Sequence, residues 1–230
     1  MSTPDTAWPA DGRKPRDDEI DVFGLTHVGK VRKDNQDHFL LASVHKRVQL
    51  HQTSLSDQER LPFGDARLAF IAMVADGVGG GAGGGKASAA VLEIASQYVV
   101  GSTNCFYNAD ATEAAFTDAL QDAAMRCHSS VVVRAKAEPG VRSMATTLTL
   151  WMGVWPWYYV LQVGDSRYYL YRDGRLTQVS RDQTIAQDLV DRGVFSRATG
   201  QRSRFANVRS ALVTVTLKLI TLFALSDSGS

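Results

Sequence analysis

A run of glycines directly after a short apolar segment is the feature that most constrains how this chain folds. Residues 68–75 read LAFIAMVA, a length and composition typical of a buried strand. The residues that follow, 76–85, are mostly glycine. Backbone with so few side chains does not hold regular structure well, so we predict a loop there. Asp76, the first residue of this loop, is therefore expected at the end of a buried strand, beside backbone that can take many shapes.

Apolar periodicity predicts the remaining secondary structure. The predicted elements are strands over 21–26, 38–48 and 68–75, helices over 86–100 and 112–134, strands over 145–154, 157–163, 167–171 and 176–179, a helix over 184–192 and a strand over 213–219. Asp110 or Thr112 is expected to cap the second helix, and Asp173-Gly174 to form a hairpin turn. The runs over 145–171 are expected to be consecutive antiparallel strands. Because strands group apart from helices, the pattern predicts an α+β fold of packed sheets covered by helices, with 49–65 as a polar surface excursion.

Length and composition fit one globular domain. The chain has 230 residues, which is long enough to bury a sizeable core. Hydrophobic residues make up 44% and charged residues 21%, as is usual for a globular protein. Residues 1–19 contain prolines and charges but no apolar run, so we predict a disordered tail there and a domain over 20–230. The formal net charge of +1 provides no general attraction for nucleic acid, and no nucleic-acid partner is expected.

Neither a disulfide framework nor a membrane span is expected. The chain contains two cysteines, Cys105 and Cys127, which suit neither a set of disulfides nor a four-ligand zinc site. The longest apolar stretch, 211–225, is shorter than a bilayer span and is interrupted by Lys218. Apolar and polar residues alternate over 213–219, which is typical of a half-buried strand. These features favour a cytoplasmic protein with ordinary thiols.

Three polar clusters could carry chemistry, and each adjoins a predicted strand. The carboxylate of Asp76 and the carbonyl of Gly77 are ligands of the kind that Mg²⁺ and Mn²⁺ prefer. Arg32 could bind two phosphate oxygens, and Asp37, nearby in sequence, could reach a metal. Asp165 lies in a tight turn between two strands. Each cluster alone also fits a turn cap, a solvated charged turn or a plain hairpin, but their shared position at strand ends favours ligands that converge on one sheet edge.

The glycine loop also resembles a Walker phosphate-binding loop. Residues 80–86 read GGAGGGK, which matches glycine, four residues, glycine and lysine. A Walker loop then needs Ser or Thr to hold magnesium, whereas this chain has Ala87, and Ser88 comes one position late. The mismatch falls on the residue that gives the motif its chemistry. A nucleotide-binding protein, which would show ATP affinity, is therefore the weaker interpretation.

Taken in order, the motifs resemble the metal-dependent protein serine/threonine phosphatases of type 2C, or PPM family, in their bacterial form. The similarity covers about residues 22–208, and several motifs in one order make it specific. The matching segments are Gly24-Leu25-Thr26, Gly29, Arg32, Asn35-Gln36-Asp37, Asp76-Gly77-Val78-Gly79-Gly80, Met144-Ala145-Thr146-Thr147, Gly164-Asp165-Ser166-Arg167, Asp173-Gly174 and 180–184.

The resemblance implies an α-β-β-α sandwich, in which two stacked antiparallel sheets are flanked by helices and a metal centre lies at one end. It implies that Asp76 bridges two Mg²⁺ or Mn²⁺ ions, that Gly77 and Asp37 serve one of them, and that Asp165 serves a third. Arg32 would hold the substrate phosphate while water activated between the ions attacks phosphorus. The implied substrates are proteins phosphorylated on serine or threonine by a kinase.

The chain departs from the family pattern in two places. Many eukaryotic members have a histidine after Asp-Gly that protonates the leaving group, and this chain has Val78, so water is expected to take that role. Members end in Ser-Asp-Gly and Asp-Asn motifs that each supply a metal ligand. Asp227, in the terminal SDSGS, matches the first motif imperfectly, and the second has no match. Because a lost ligand weakens metal binding, the expectation is a truncated phosphatase with incomplete C-terminal strands, and the alternative is a catalytically impaired domain that binds phosphoproteins.

Overall fold

The alternation of buried residues along 69–75 makes the central strand of the molecule. Ala69, Ile71, Met73 and Ala75 are all buried, since residues two apart along a strand share one face. In the computed structural model this strand is β2, Gly64–Val78, and it pairs antiparallel with β1, Asp37–Val48. The structure describes residues 13–49, 52, 64–78, 82–101, 113–137, 145–203 and 218–221.

Two antiparallel sheets are present in the described residues. The larger has six strands: β1, β2, and then β3, Ala145–Thr146; β4, Leu148–Val154; β5, Trp157–Val163; and β8, Lys218–Thr221. Their order across the sheet is β1-β2-β4-β5-β8, with β3 paired to the end of β2. The smaller sheet is a hairpin of β6, Tyr169–Arg172, and β7, Arg175–Gln178.

Two long helices cover one face of the larger sheet. They are α1, Ala82–Gly101, and α2, Glu113–Ala137. Small residues on α1, among them Ala87 and Ala95, are fully buried and let the helix approach β2 closely. Two short helices follow the hairpin: α3, Ile185–Asp191, capped by the Thr184 hydroxyl, and α4, Arg197–Arg202, capped by Ser196.

The main core lies between this helix pair and the sheet. The sheet contributes alternate residues of neighbouring strands, and α1 and α2 contribute their inner stripes. The members include Ile71, Met73, Leu148, Leu150, Met152, Tyr159, Leu161, Val91, Val99, Leu120 and Cys127. The Cys127 thiol lies 3.7 Å from the Val91 carbonyl, and burial raises the pKa of this thiol to about 11. The helices are thus packed directly on the strand that leads to Asp76.

The opposite face of the sheet is lined with aromatic rings. Trp151 stacks on Tyr158 with 5.9 Å between ring centroids, and Tyr168, just before β6, meets Tyr158 edge-on at 6.3 Å. Burial of the Tyr158 side chain raises its pKa to about 12, and the neighbouring Tyr168 contributes a smaller part of this increase. The carbonyl of Ser166 accepts bonds from the side chains of Thr149 and Gln162. The segment that leads into the hairpin therefore lies against the face that the helices leave open.

Most of the predicted elements are confirmed. Antiparallel sheets flanked by helices make the fold α+β, as predicted, and both long helices and the strands β1, β2, β4, β5 and β7 fall where the periodicity placed them. The Asp173-Gly174 turn is also confirmed, with φ values of 50° and 72° that favour these two residue types. The predicted caps Asp110 and Thr112, Cys105, residues 213–217 and most of 49–65 lie outside the described residues.

Three predictions from the pattern are wrong. No strand forms over 21–26, where Phe23 and Leu25 are 84% and 78% exposed; within the part of the chain that the structure describes, no strand pairs with this segment. The glycine-rich segment is more regular than expected, since β2 continues through Val78 and α1 begins at Ala82. The strands over 145–171 do not all pair in succession, because β6 pairs with β7 rather than β5.

Residues 13–20 run beside the far end of β2. Arg67, whose side chain is only 8% exposed, forms an ion pair with Asp17 at 3.3 Å and donates to the carbonyl of Pro15. Lys14 donates to the carbonyl of Arg67 in return. Asp17 begins a short 3₁₀ turn, Asp17–Glu19. These contacts lie at the end of the sheet away from Asp76, and the division into a tail and a domain over 20–230 stays a prediction.

We expect Leu150→Ala to destabilise the fold much more than Leu176→Ala. Leu150 is fully buried between sheet and helices, whereas Leu176 on β7 is 66% exposed. Truncating a fully buried leucine removes about 2–5 kcal/mol of unfolding free energy, because it loses contacts and leaves a cavity. Leu176→Ala should lower the unfolding free energy by about 0.5 kcal/mol or less. Urea unfolding followed by circular dichroism measures both, and equal losses would contradict the assignment of the core.

Candidate metal centre

Two carboxylates face each other across the β1–β2 pair. Asp37 is the first residue of β1, and it lies directly opposite Asp76 in the antiparallel register. Side chains at opposed positions share one face of the sheet, with Cβ atoms about 4.5–5.5 Å apart. Both residues are half-buried. The structure therefore brings together two of the predicted metal ligands, which lie far apart in sequence.

A cavity of about 190 Å³ opens over this pair. It is lined by Arg32 as well as Asp37 and Asp76, so the predicted phosphate-binding guanidinium and two predicted ligands share one space. The remaining lining residues are His27, Val28, Asp34, Asn35 and Gln36. The cavity thus combines a cation suited to phosphate oxygens with carboxylates suited to a hard metal ion.

Thr26 and Asn35 hold the loop that carries Asp37. The Asn35 amide donates to the Thr26 hydroxyl at 2.7 Å, and its side-chain oxygen accepts from the backbone N–H of Asp37 at 3.1 Å. The Thr26 hydroxyl donates to the Asp37 carbonyl at 3.3 Å. These bonds tie Thr26 to the start of β1 although residues 21–26 form no strand.

Gly77 lies where three segments meet. Its N–H donates to the carbonyl of Gln36 at 3.1 Å. A Cβ on Gly77 would lie 2.3 Å from the carbonyl oxygen of Gly84, and a Cβ on Gly84 would lie 2.4 Å from Oε1 of Gln36. Because the atoms that a Cβ on Gly77 would meet are backbone atoms, only glycine at this position allows the end of β2, the start of α1 and the loop before β1 to come so close. The glycine-rich run is thus needed for close packing beside Asp76.

Thr147 connects Asp76 to the turn that holds Asp165. Its hydroxyl accepts from the N–H of Asp76 at 2.9 Å and lies 2.8 Å from the Ser166 hydroxyl, while its own N–H donates to the Asp76 carbonyl at 2.9 Å. Thr147 is 1% exposed. Asp165 does not line the cavity over Asp37 and Asp76. Its turn is linked to Asp76 through Thr147, which bonds both Asp76 and Ser166. The sequence showed Thr147 as part of a motif, without a role.

The turn around Asp165 is held rigidly on its other side. Arg167 binds Asp182 through two nitrogens, at 2.9 and 2.6 Å, and these bonds raise the pKa of the guanidinium above its usual value. The N–H of Gly164 donates to the Gln183 side chain at 2.8 Å. These contacts explain why residues 180–184 accompany the motif, which the pattern alone did not show.

The described part of the site holds two converging carboxylates rather than a full ligand set. Among the residues that the structure describes, no group of three or more His, Cys, Asp or Glu side chains could hold a metal ion. Asp227 and residues 79–81 lie outside them. Paired carboxylates with backbone carbonyls nearby still fit Mg²⁺ or Mn²⁺, because Mg²⁺ commonly binds through one or two carboxylates and keeps several waters.

Comparison with known proteins agrees with this architecture. The protein phosphatase 2C family profile matches residues 52–211. The serine/threonine protein phosphatase PstP of Mycobacterium tuberculosis is 36% identical over 139 residues, which are 60% of this chain and 24% of PstP. This chain therefore spans about a quarter of the length of that relative.

Solved structures show the same fold. The M. tuberculosis phosphatase PstP/Ppp has a TM-score of 0.54 and 24% identity, over 80% of this chain and 73% of that one. The S. agalactiae serine/threonine phosphatase has a TM-score of 0.64 and 18% identity, over 86% of this chain and 73% of that one. A PstP catalytic domain in complex with 2 manganese ions has a TM-score of 0.52 and 26% identity over 80% and 72%.

These findings define the class of protein. The folds that match are those of bacterial serine/threonine phosphatases, and they share the antiparallel sheets and flanking helices described above. The profile covers well over half of the chain. The chain belongs to the protein phosphatase 2C family, as the order of its motifs predicted.

We expect Gly164→Ala to lower stability more than Gly174→Ala. Both glycines have positive φ, 105° and 72°, so each substitution incurs a backbone cost of about 1–2 kcal/mol. A Cβ at residue 164 would also lie 2.6 Å from Cγ2 of Thr147, whereas none of the described atoms lies within 4 Å at residue 174. The overlap with Thr147 should add about 1–3 kcal/mol to the destabilisation caused by Gly164→Ala. Thermal unfolding of both variants tests this, and a Gly164→Ala variant as stable as its partner would refute the close contact with Thr147.

Proposed function

We propose that this chain hydrolyses phosphoserine and phosphothreonine esters in proteins with the help of Mg²⁺ or Mn²⁺. The observation that carries the proposal is the convergence of Asp37, Asp76 and Arg32 on one cavity. Membership of the family supports it, as do the serine/threonine phosphatases to which the chain is similar.

Each residue has a separate task in this proposal. Asp76, Asp37 and the Gly77 carbonyl would hold the metal ions. Such ions lower the pKa of bound water and so supply a nucleophile at neutral pH. Arg32 binds two oxygens of the substrate phosphate and neutralises charge that develops during transfer. The cavity places Arg32 beside the two carboxylates, so one space would hold both the phosphate and the ions.

Asp165 and Asp227 complete the proposed ligand set. Asp165 would serve a third ion, and its support is the Thr147 hydroxyl, which joins its turn to Asp76. Asp227 would serve the first ion, as the resemblance of its surroundings to the Ser-Asp-Gly motif suggests. Val78 has no proton to donate, so the proton for the leaving oxygen comes from water.

The proposed substrates are proteins phosphorylated by a serine/threonine kinase. A cytoplasmic location is proposed from composition. None of the described helices combines the length and apolar character that a membrane crossing requires.

We expect the chain to hydrolyse a phosphothreonine peptide with Mn²⁺ and to lose this activity in EDTA. Asp76→Asn should lower the rate by more than about 100-fold, because even groups that only orient a metal ligand contribute up to that factor. The matched control is Asp173→Asn, in a hairpin turn where the side chain is 88% exposed and asparagine tolerates the positive φ. Phosphate release measures the activity of the wild-type chain and of both variants. Activity that survives EDTA would refute a metal-dependent reaction. A folded chain that binds the peptide without turnover would instead indicate an impaired phosphatase-like domain.

Arg32→Ala should raise the KM for the phosphopeptide and leave Mn²⁺ affinity close to that of the wild type. The reason is that Arg32 is proposed to bind phosphate oxygens rather than metal, and a charge-assisted bond of about 1.5–3 kcal/mol corresponds to roughly 10- to 100-fold in affinity. Lys33→Ala removes the neighbouring exposed cation, which does not line the cavity, and controls for net charge. Steady-state kinetics and calorimetric Mn²⁺ titration separate the two effects. Equal changes in both variants would show that Arg32 acts only through general charge.

A further inference from the structure

One backbone carbonyl joins the two segments that carry the proposed metal ligands. The carbonyl of Gln36, next to Asp37, accepts from the N–H of Gly77, next to Asp76, at 3.1 Å. The same oxygen accepts from the hydroxyl of Ser88 on α1 at 2.6 Å. Ser88 is thus hydrogen-bonded to the backbone where the start of β1 meets the end of β2.

The Ser88 hydroxyl is enclosed and has a definite set of neighbours. Ser88 is fully buried, and Nδ1 of His38 lies 2.9 Å from Oγ. The carbonyls of Gly84 and Gly85, in the preceding turn of α1, lie at 3.2 and 3.1 Å. A serine hydroxyl has one proton, and its shortest contact is to Gln36. The hydroxyl therefore donates across to the Gln36 loop, and His38 donates to Oγ when Nδ1 carries the proton.

Another serine on the same helix shows what an ordinary helical serine does. Ser96 donates to the carbonyl of Glu93 in its own helix, at 2.8 Å, a local bond of the kind that serine often makes within helices. Ser88 has local carbonyls within reach and still makes its shortest bond to another segment. A purely local role would not require that geometry.

We infer that Ser88 is a positioning residue for the metal centre. By holding the Gln36 carbonyl, it keeps Asp37 and the Gly77 backbone at the separation that the ions require. Without it, the Gln36 carbonyl loses its 2.6 Å hydrogen bond to α1, and the loop before β1 can move away from that helix. This inference rests on the proposed function, because it concerns the affinity of that site for its metal.

The test is calorimetric titration of Mn²⁺ into the wild-type chain and four variants. Ser88→Ala removes the hydroxyl, and Ser88→Cys fills the space with a somewhat larger side chain while replacing a strong donor with a weak one. Ser96→Ala is the matched control on the same helix, and Asp76→Asn is the reference for loss of a proposed ligand. Thermal unfolding of each variant, without metal, reports stability separately.

Both Ser88 variants should weaken Mn²⁺ binding by about 10-fold or more, as expected for groups that orient metal ligands, and Ser96→Ala should bind as the wild type does. The Mn²⁺ concentration that half-activates hydrolysis should rise in parallel. Unchanged Mn²⁺ affinity in Ser88→Cys, whether or not Ser88→Ala folds, would overturn the inference and leave the proposed function intact. A wild-type chain that binds no Mn²⁺ would overturn the proposed function itself, and the positioning role with it.

Discussion

The antiparallel register between β1 and β2 is the constraint on which the site depends. Ile71, Met73 and Ala75 point into the core beneath α1 and α2, and strand geometry then turns Asp76 to the other face. On β1, Leu40 packs against the same core, so Asp37 points away from it as well. A slip of one residue would expose the apolar side chains and bury the charges. The free energy that holds the core together therefore also holds the two carboxylates opposite each other.

The site is built from backbone contacts as much as from side chains. Gly77 comes so close to the backbone of Gly84 and Gln36 that a side chain larger than hydrogen cannot be accommodated there. Thr147 bonds both the N–H and the carbonyl of Asp76 and bonds Ser166 as well. The segments that carry the proposed ligands thus share hydrogen bonds, so that each limits the movement of the next. Such support is what a metal centre needs if its ligands are to stay in place as the substrate binds.

Local pattern and long-range contact explain which predictions succeeded. The strands over 148–154 and 157–163 and the two long helices follow from apolar periodicity, because a buried face imposes that period within one segment. Residues 21–26 have a strand-like pattern, yet Phe23 and Leu25 stay exposed. A strand needs a partner edge, and no local pattern reveals whether one is available. The same limit explains why β6 was expected beside β5 and instead pairs with β7.

The sequence by itself determined the residue types and their order: a carboxylate at the end of a buried strand, glycines after it, and further motifs that together indicated the family. These are local properties, and chain order preserves them. Only the tertiary structure decided that Asp37 lies opposite Asp76, that Arg32 shares their cavity, and that Thr147 and Ser88 hold the neighbouring backbone. Each of these contacts joins residues far apart in the chain, so it depends on strand register and on helix packing against the sheet, which only the folded core selects.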